Sequence, residues 1–166
     1  MSDSTEEAPA SSSHQASTAS NEPGCTLTAY EKQMLAELNK VRAAGRSCGD
    51  ESFGPAPALT YSCAILPAAR SHSIDMATNN FFSHTGSDGR RVSHRVDDTG
   101  YEWSVVGENI AAGFDSVGEV MEGWLDSPGH CENIMDPRFD VVAVSRVDTS
   151  SADYDNYWTQ VFATPR

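Results

Sequence analysis

The chain has 166 residues, a length that fits one domain with a flanking segment. Its 24 acidic residues outnumber 11 basic ones, and the formal net charge is −13. This balance argues against a nucleic acid or an anionic membrane as partner, because both are bound through clustered lysine and arginine.

Residues 1–24 are rich in serine, threonine, alanine and acidic residues and contain almost no large apolar side chains. Such a composition cannot offset the entropy lost on ordering, so we expect a disordered linker over 1–24 and a folded domain over 25–166. The opening MSDSTEEAPA has neither the positive start nor the apolar run of a secretory leader. No stretch is as long and apolar as a membrane span, and we expect no transmembrane segment.

The first predicted helix covers 29–44. Thr28 and Glu31 have the spacing of a capping box, apolar residues follow at helical spacing, and Gly45 suits the end of the helix. Pro67 should disturb the first turn of the second helix, because proline lacks a backbone donor. The further helices are predicted over 63–79, over 92–99, and from Ser116 to the Pro128-Gly129 pair, which ends the last one.

Three later segments are rich in β-branched and aromatic residues and predict strands near 104–112, 139–147 and 157–163. Because helices come first and strands late, the sequence predicts an α+β fold with helices packed on a small antiparallel sheet.

The four cysteines are widely spaced and none forms a CxxC pair: Cys25, Cys48, Cys63 and Cys131. Disulfides are therefore a better interpretation than a zinc cluster, and they indicate an oxidising compartment. Free thiols remain an alternative, and four cysteines allow three pairings between which the residues alone do not choose.

The segment SPGHCENIM places His130 directly before Cys131. Adjacent side chains point in different directions, so this is poor support for a cysteine nucleophile with a histidine base. The sequence contains neither GxSxG nor HExxH, the motifs of a nucleophile elbow and of a zincin helix. His72 and His94 are expected to face solvent.

His84, Glu108 and His130 each lie beside apolar or turn-forming residues. They are either ordinary hydrogen-bonded structural residues or a group that converges on a divalent metal and leaves a position open for water.

Four segments, in this order, resemble the CAP superfamily of cysteine-rich secretory, antigen 5 and pathogenesis-related-1 proteins: FFSHTGSDG, GENIAAG, WLDSPGHCENIM and YWTQVFA. The bacterial SCP-like branch is the most similar, and the resemblance covers about residues 28–164. It implies a three-layer α-β-α sandwich with a central antiparallel sheet. It also implies a secreted, periplasmic or otherwise extracytoplasmic protein, and we expect that a signal peptide has been removed.

The resemblance further implies a central cavity that in some members binds zinc or another divalent ion. His84 and Glu108 match the first histidine and the first glutamate of that cavity. Ser127 and Tyr157 stand where eukaryotic members have the second glutamate and the second histidine. The bacterial branch has the histidine of SPGH, here His130, so the implied metal ligands are His84, Glu108 and His130.

Asn109, Asn133 and Gln160 also lie in the family motifs, and we expect them to be hydrogen-bonding partners near the cavity rather than ligands. Bacterial relatives often have one cysteine in SCG and one in GHC. The resemblance therefore implies a Cys48–Cys131 disulfide, which leaves Cys25–Cys63 as the second.

The function expected from these features is that of a non-enzymatic extracellular binding module for a lipid, a glycan or a protein. The first alternative is a metal-dependent hydrolase that uses the same cavity. The second is a structural protein of the cell envelope whose 1–24 segment acts as a spacer.

Overall fold

The structure is a computed structural model that describes residues 2–7 and 25–166. Among these residues, no helix is both long and apolar enough to cross a bilayer. The described elements are β1 (Ser2–Glu7), α1 (Ala29–Ala44), β2 (Arg46–Cys48), β3 (Glu51–Phe53), β4 (Thr60–Tyr61), α2 (Leu66–Asn79), α3 (Val92–Asp98), β5 (Trp103–Ala112), α4 (Val117–Leu125), α5 (Pro128–Met135), β6 (Val141–Asp148) and β7 (Asn156–Pro165).

Five strands form the main sheet in the order β1-β5-β7-β6-β4, and β2 and β3 form a separate hairpin. All neighbours in the main sheet are antiparallel except β4 and β6. The register pairs Glu108 of β5 with Val161 and the adjacent Asn109 with Gln160 of β7. The functional residues predicted on β5 therefore lie in the interior of the sheet.

Helices cover both faces of this sheet, which confirms the predicted α-β-α sandwich. On one face α2 packs against β6 and β7, and the Ser73 hydroxyl lies 2.7 Å from that of Thr159. On the other face the Tyr30 ring of α1 meets the Trp158 ring of β7 with centroids 6.2 Å apart. We call these the α2 face, which also carries α3, and the α5 face, which carries α1, α4 and α5.

The first two helices follow their sequence signals closely. Helix α1 covers the predicted residues, and the Thr28 backbone N–H donates to Glu31 Oε1 at 2.7 Å, as a capping box requires. Helix α2 begins at Leu66 instead of residue 63 and has Pro67 in its first turn. Proline is tolerated there, because the first N–H groups of a helix have no partner within the helix.

The segment after α4 differs from the expectation that Pro128 and Gly129 only end a helix. Helix α4 ends at Leu125, and Pro128 begins the new helix α5, which carries His130 and Cys131. Proline is unfavourable inside a helix, but its fixed backbone angle suits the first helical position, so Pro128 can start a helix.

The segment before Cys25 also differs in part from the expectation of a disordered linker. Residues Ser2–Glu7 pair with β5 as an antiparallel edge strand, since unpaired backbone groups of β5 are available there. Residue 1 and residues 8–24 lie outside the described residues. The domain boundary at Cys25 stays a prediction.

Both disulfides implied by the resemblance are present. Cys48 and Cys131 are bonded with their Cα atoms 5.5 Å apart, and Cys25 and Cys63 with theirs 5.8 Å apart. The first bridge ties α5 to the β2–β3 hairpin. Because all four sulfurs are bonded, Cys131 is a structural residue and not a nucleophile.

Candidate functional site

Strand β5 carries two buried polar residues in succession, Glu108 and Asn109, and both are fully inaccessible to solvent. Neighbouring residues of a strand point to opposite faces of its sheet. Glu108 therefore faces α2 and α3, and Asn109 faces α5. Each is the centre of a polar cluster, and the sheet separates the two clusters.

The Glu108 cluster lies on the α2 face. The Glu108 carboxylate accepts a hydrogen bond from His84 Nδ1 at 2.6 Å on Oε1 and one from the Arg95 guanidinium at 2.6 Å on Oε2. His72 of α2 lies alongside, with Nε2 at 4.0 Å from Oε1. Charge-assisted hydrogen bonds of this length are the strong ones, so both carboxylate oxygens have a strong partner inside the protein.

The two imidazoles of the cluster also have specific roles. His72 Nε2 lies 2.7 Å from the Ser83 carbonyl oxygen, which can only accept, so this nitrogen carries the proton. Among the described residues, neither His72 Nδ1 nor His84 Nε2 has a hydrogen-bond partner. A cavity of about 300 Å³ lined by His72, Arg95 and Asp75 reaches the cluster from outside.

The electrostatics of the cluster favour an ionised carboxylate. Burial alone would raise the pKa of Glu108, but the hydrogen bond from His84 and the charge of Arg95 outweigh it and hold that pKa below its usual range. Burial lowers the pKa of His72, and the attraction of Glu108 offsets this only in part. At neutral pH the cluster contains a carboxylate paired with a guanidinium, beside a neutral His72.

The Asn109 cluster lies on the α5 face and is built from amides. Asn109 Nδ2 donates to Gln160 Oε1 at 3.0 Å and to the His130 carbonyl oxygen at 3.2 Å. Asn133 Nδ2 donates to Asn109 Oδ1 at 3.0 Å. The Gln160 amide lies 3.4 Å from Met34 Sδ of α1. Asn109, Asn133 and Gln160 are hydrogen-bonding residues in the structure, and they fasten α5 to the sheet.

The predicted convergence of His84, Glu108 and His130 is not present. His84 and Glu108 are in direct contact, but His130 belongs to α5 on the other face, where its Nδ1 lies 2.7 Å from Ser127 Oγ. The sequence predicts correctly that Glu108 lies on a strand. Each strand residue faces only one side of the sheet, however, and Glu108 faces the side opposite to the helix that carries His130.

The predicted ligand set therefore does not fit a metal ion. Both oxygens of Glu108 are engaged by His84 and Arg95, and His130 lies beyond the sheet. Within residues 2–7 and 25–166, no three His, Cys, Asp or Glu side chains are grouped so as to hold a metal ion.

The two positions that depart from the eukaryotic pattern also have structural roles. Ser127 occupies the N-cap position of α5 and bonds to His130. Tyr157 is buried in β7, and its hydroxyl oxygen accepts a hydrogen bond from the Tyr154 backbone N–H at 3.4 Å.

Sequence reasoning missed two members of the Glu108 cluster, Arg95 and His72, and the expectation that His72 faces solvent is wrong, since only 1% of it is exposed. Helical spacing carried a signal for both. Arg95 lies beside the buried Val92 and Val96 on α3, and His72 lies one turn from the buried Met76 on α2. Helical spacing therefore predicts burial for positions on the apolar side of a helix, even when the residue is polar.

Next to the Asn109 cluster, an open groove of about 480 Å³ runs between α5, strand β3 and strand β1. Phe53 supplies an apolar wall, and Asn133 lies at its inner side. Three carboxylates and one guanidinium line it, those of Glu51, Glu132, Asp136 and Arg138. The groove is therefore acidic, as is the chain as a whole.

Comparison with known proteins places this architecture in a family. The family model described as the cysteine-rich secretory protein family, CAP, matches residues 35–162. The chain is 30% identical to the Bacillus subtilis protein YkwD over 137 residues, and 30% identical to the Bacillus subtilis membrane protein YlbC over 135 residues. The match covers 82% of this chain but 48% of YkwD, and 81% of this chain but 34% of YlbC.

Solved structures show the same fold. An extracellular protein of Bacillus anthracis with an SCP domain aligns with a TM-score of 0.66 and 25% identity, over 85% of this chain and 45% of its own. An outer surface protein of Borrelia burgdorferi aligns with a TM-score of 0.68 and 19% identity, over 81% of this chain and 92% of its own. With a buried glutamate on β5, a bridged SPGHC helix and a family match over most of its length, the chain belongs to the cysteine-rich secretory protein (CAP) family.

Proposed function

We propose that this chain is an extracellular binding module that carries out no chemistry of its own. The observation that supports this best is the state of Glu108, which is itself fully inaccessible to solvent and whose two oxygens are bonded to His84 and Arg95. A general base or a metal ligand needs a lone pair directed at the reacting group. Glu108 instead holds the loop that carries His84 and helix α3 against the sheet.

Two further observations support an extracellular location. The chain has two disulfides, which persist in oxidising compartments. The Bacillus anthracis and Borrelia burgdorferi relatives are described as an extracellular protein and an outer surface protein.

The acidic groove beside α5 is the proposed binding surface. Its volume of about 480 Å³ lies in the range of sites that take small ligands or a few side chains of a larger one. The carboxylates of Glu51 and Glu132 favour a ligand with basic groups, whereas that of Asp136 is paired with Arg138 at 2.8 Å. Phe53 offers an apolar contact. This chemistry favours a protein or peptide ligand over a lipid or a glycan.

The test is a random-peptide phage selection on the immobilised protein, with two charge-reversal variants for comparison. Glu51→Lys combined with Glu132→Lys reverses the charge of the groove. Glu122→Lys combined with Asp126→Lys is the matched control, since both residues are exposed at the end of α4, outside the groove. We expect enriched peptides to carry lysine or arginine and to bind the wild type and the control but not the groove variant.

Equal binding to all three proteins, or no enrichment at all, would overturn the proposal. Two measurements test the hydrolase alternative, elemental analysis of the purified protein and mass spectrometry of the selected peptides. One bound zinc per chain, together with cleaved peptides that His84→Ala leaves intact, would favour that alternative instead.

A further inference from the structure

The outer edge of β5 is occupied by a segment of the chain itself. Strand β1 pairs Ser2 with Ile110 and Glu7 with Val105, antiparallel and without interruption. Because β5 is the outermost strand apart from β1, the removal of β1 would leave the backbone N–H and C=O groups of this edge without partners. An edge of this kind can accept another extended chain in place of β1.

Side chains from both helical layers hold the added strand. On the α5 face, the Thr5 hydroxyl donates to Asn133 Oδ1, and Asn133 Nδ2 donates to the Ser4 carbonyl oxygen at 3.3 Å. On the α2 face, Ser93 donates to the Glu6 carboxylate twice, from its backbone N–H at 3.1 Å and from its hydroxyl at 2.6 Å. The edge therefore recognises a hydroxyl residue followed by an acidic residue, in addition to the extended backbone.

The occupying segment fits its place imperfectly. Its sequence SDSTEE contains one β-branched residue, and serine, aspartate and glutamate are not strand formers. Ser4 Oγ is buried beside β5 and has no hydrogen-bond partner among the described residues. A buried hydroxyl without a partner is unfavourable, so a small apolar residue would suit this position better.

We propose that the outer edge of β5 is a strand-addition site for an extended peptide of a partner protein, and that Ser2–Glu7 is a replaceable occupant of this site. The inference rests on the proposed function, because it names the class of ligand and the way in which the ligand binds. The peptide runs antiparallel to β5 and carries a small apolar residue at the Ser4 position, threonine or serine at the Thr5 position and an acidic residue at the Glu6 position. Thr5 lines the acidic groove, and alternate residues of a strand share a face. Basic residues are therefore placed two before and two after the Thr5 position of the peptide.

The experiment uses the full chain with Thr5→Pro, which removes a backbone N–H and the hydroxyl that bonds to Asn133. The probe is the fluorescein-labelled peptide SKATEK, and binding is followed by fluorescence polarisation. We expect SKATEK to bind the Thr5→Pro chain at least about tenfold more tightly than the wild type, because β1 no longer competes. A second probe, SKSTEK, should bind about fivefold more weakly than SKATEK because it restores the unpaired hydroxyl.

Three controls define the site. Ser12→Pro places the same substitution outside β1 and should behave like the wild type. Ser93→Ala in the Thr5→Pro chain should weaken the binding of SKATEK, and SKAPEK, with proline at the threonine position, should not bind.

Hydrogen exchange of the 105–110 amides should be faster in the Thr5→Pro chain than in the wild type, and SKATEK should slow it again.

The proposal is overturned if SKATEK binds the wild type and the Thr5→Pro chain equally, binds neither, or leaves exchange at 105–110 unchanged. It is also overturned if the wild type is a dimer that Thr5→Pro dissociates, because a second copy would then be the occupant. None of these results would change the outcome of the phage selection on the acidic groove. A failure of the strand-addition site is therefore distinguishable from a failure of the proposed function.

Discussion

The two faces of β5 bury neighbouring polar residues and hold them by different physical means. Glu108 on the α2 face is held by charge, through the guanidinium of Arg95 and the imidazole of His84. Asn109 on the α5 face is held by neutral amides, and the helix that it fastens is also bridged to the β2–β3 hairpin. The α2 face should therefore be sensitive to pH and to the loss of a single charge, whereas the α5 face should depend on a covalent bond and on amide geometry.

The largest effect is expected from the loss of the Cys48–Cys131 bridge, which fastens the α5 face. With a sequence separation of 83 residues, the gain in unfolded-chain entropy predicts that Cys48→Ala combined with Cys131→Ala lowers the free energy of unfolding by about 4.5 kcal/mol. Urea denaturation at pH 7 measures this. A loss below about 1 kcal/mol would mean that α5 does not depend on the bridge.

The next largest effect is expected on the α2 face. Glu108→Gln keeps the shape of the side chain but leaves the buried Arg95 charge without its partner, and we expect a loss of about 3–5 kcal/mol. Glu132→Gln, an exposed carboxylate on α5, is the matched control and should change stability by no more than about 0.5 kcal/mol. Equal effects of the two substitutions would show that Glu108 is not held by charge.

A smaller effect is expected from Asn109→Ala on the α5 face. This change removes neutral hydrogen bonds to Gln160 and to the His130 carbonyl, for which a loss of about 1–3 kcal/mol is typical. Denaturation at pH 7 and at pH 5 should give the same loss relative to the wild type, since no charge is involved. If the loss of stability caused by Asn109→Ala were larger at pH 5 than at pH 7, charged groups would contribute on the α5 face as well, which would contradict the difference between the two faces.

The smallest effect is expected from mild acidification of the wild type. The folded-state pKa of His72 is lowered, so the unfolded chain takes up this proton first, and stability should fall as the pH drops below about 6.5. The pKa of Glu108 is also lowered, so its contribution is present above about 4.5 and is lost only below that pH. His72→Gln should reduce the decrease between pH 7 and pH 5.

Much of this arrangement could be predicted from the sequence. The capping box at Thr28, the β-branched runs and the four family motifs predicted α1, the central strands and the sandwich. The disulfide pairs followed from the resemblance. The family motifs also predict hydrogen-bonding roles for the amides Asn109, Asn133 and Gln160.

The remainder depends on contacts across the fold that spacing along the chain does not encode. Pro128 is compatible both with the end of one helix and with the start of another, and only packing of α5 against the sheet decides between them. Ser2–Glu7 has little intrinsic strand preference and pairs because β5 offers an open edge. Arg95 was overlooked as the partner of Glu108 because the two meet through space, from α3 and β5.

The sheet separates Glu108 from His130, and Glu108 acts with Arg95. Double-mutant cycles measure this directly, with Glu108→Gln combined with Arg95→Met in one cycle and with His130→Ala in the other. We expect a coupling free energy above about 1 kcal/mol for Glu108 with Arg95, and one within about 0.5 kcal/mol of zero for Glu108 with His130. A coupling of Glu108 with His130 as large as that with Arg95 would contradict the separation of the two residues by the sheet and would restore a single shared site.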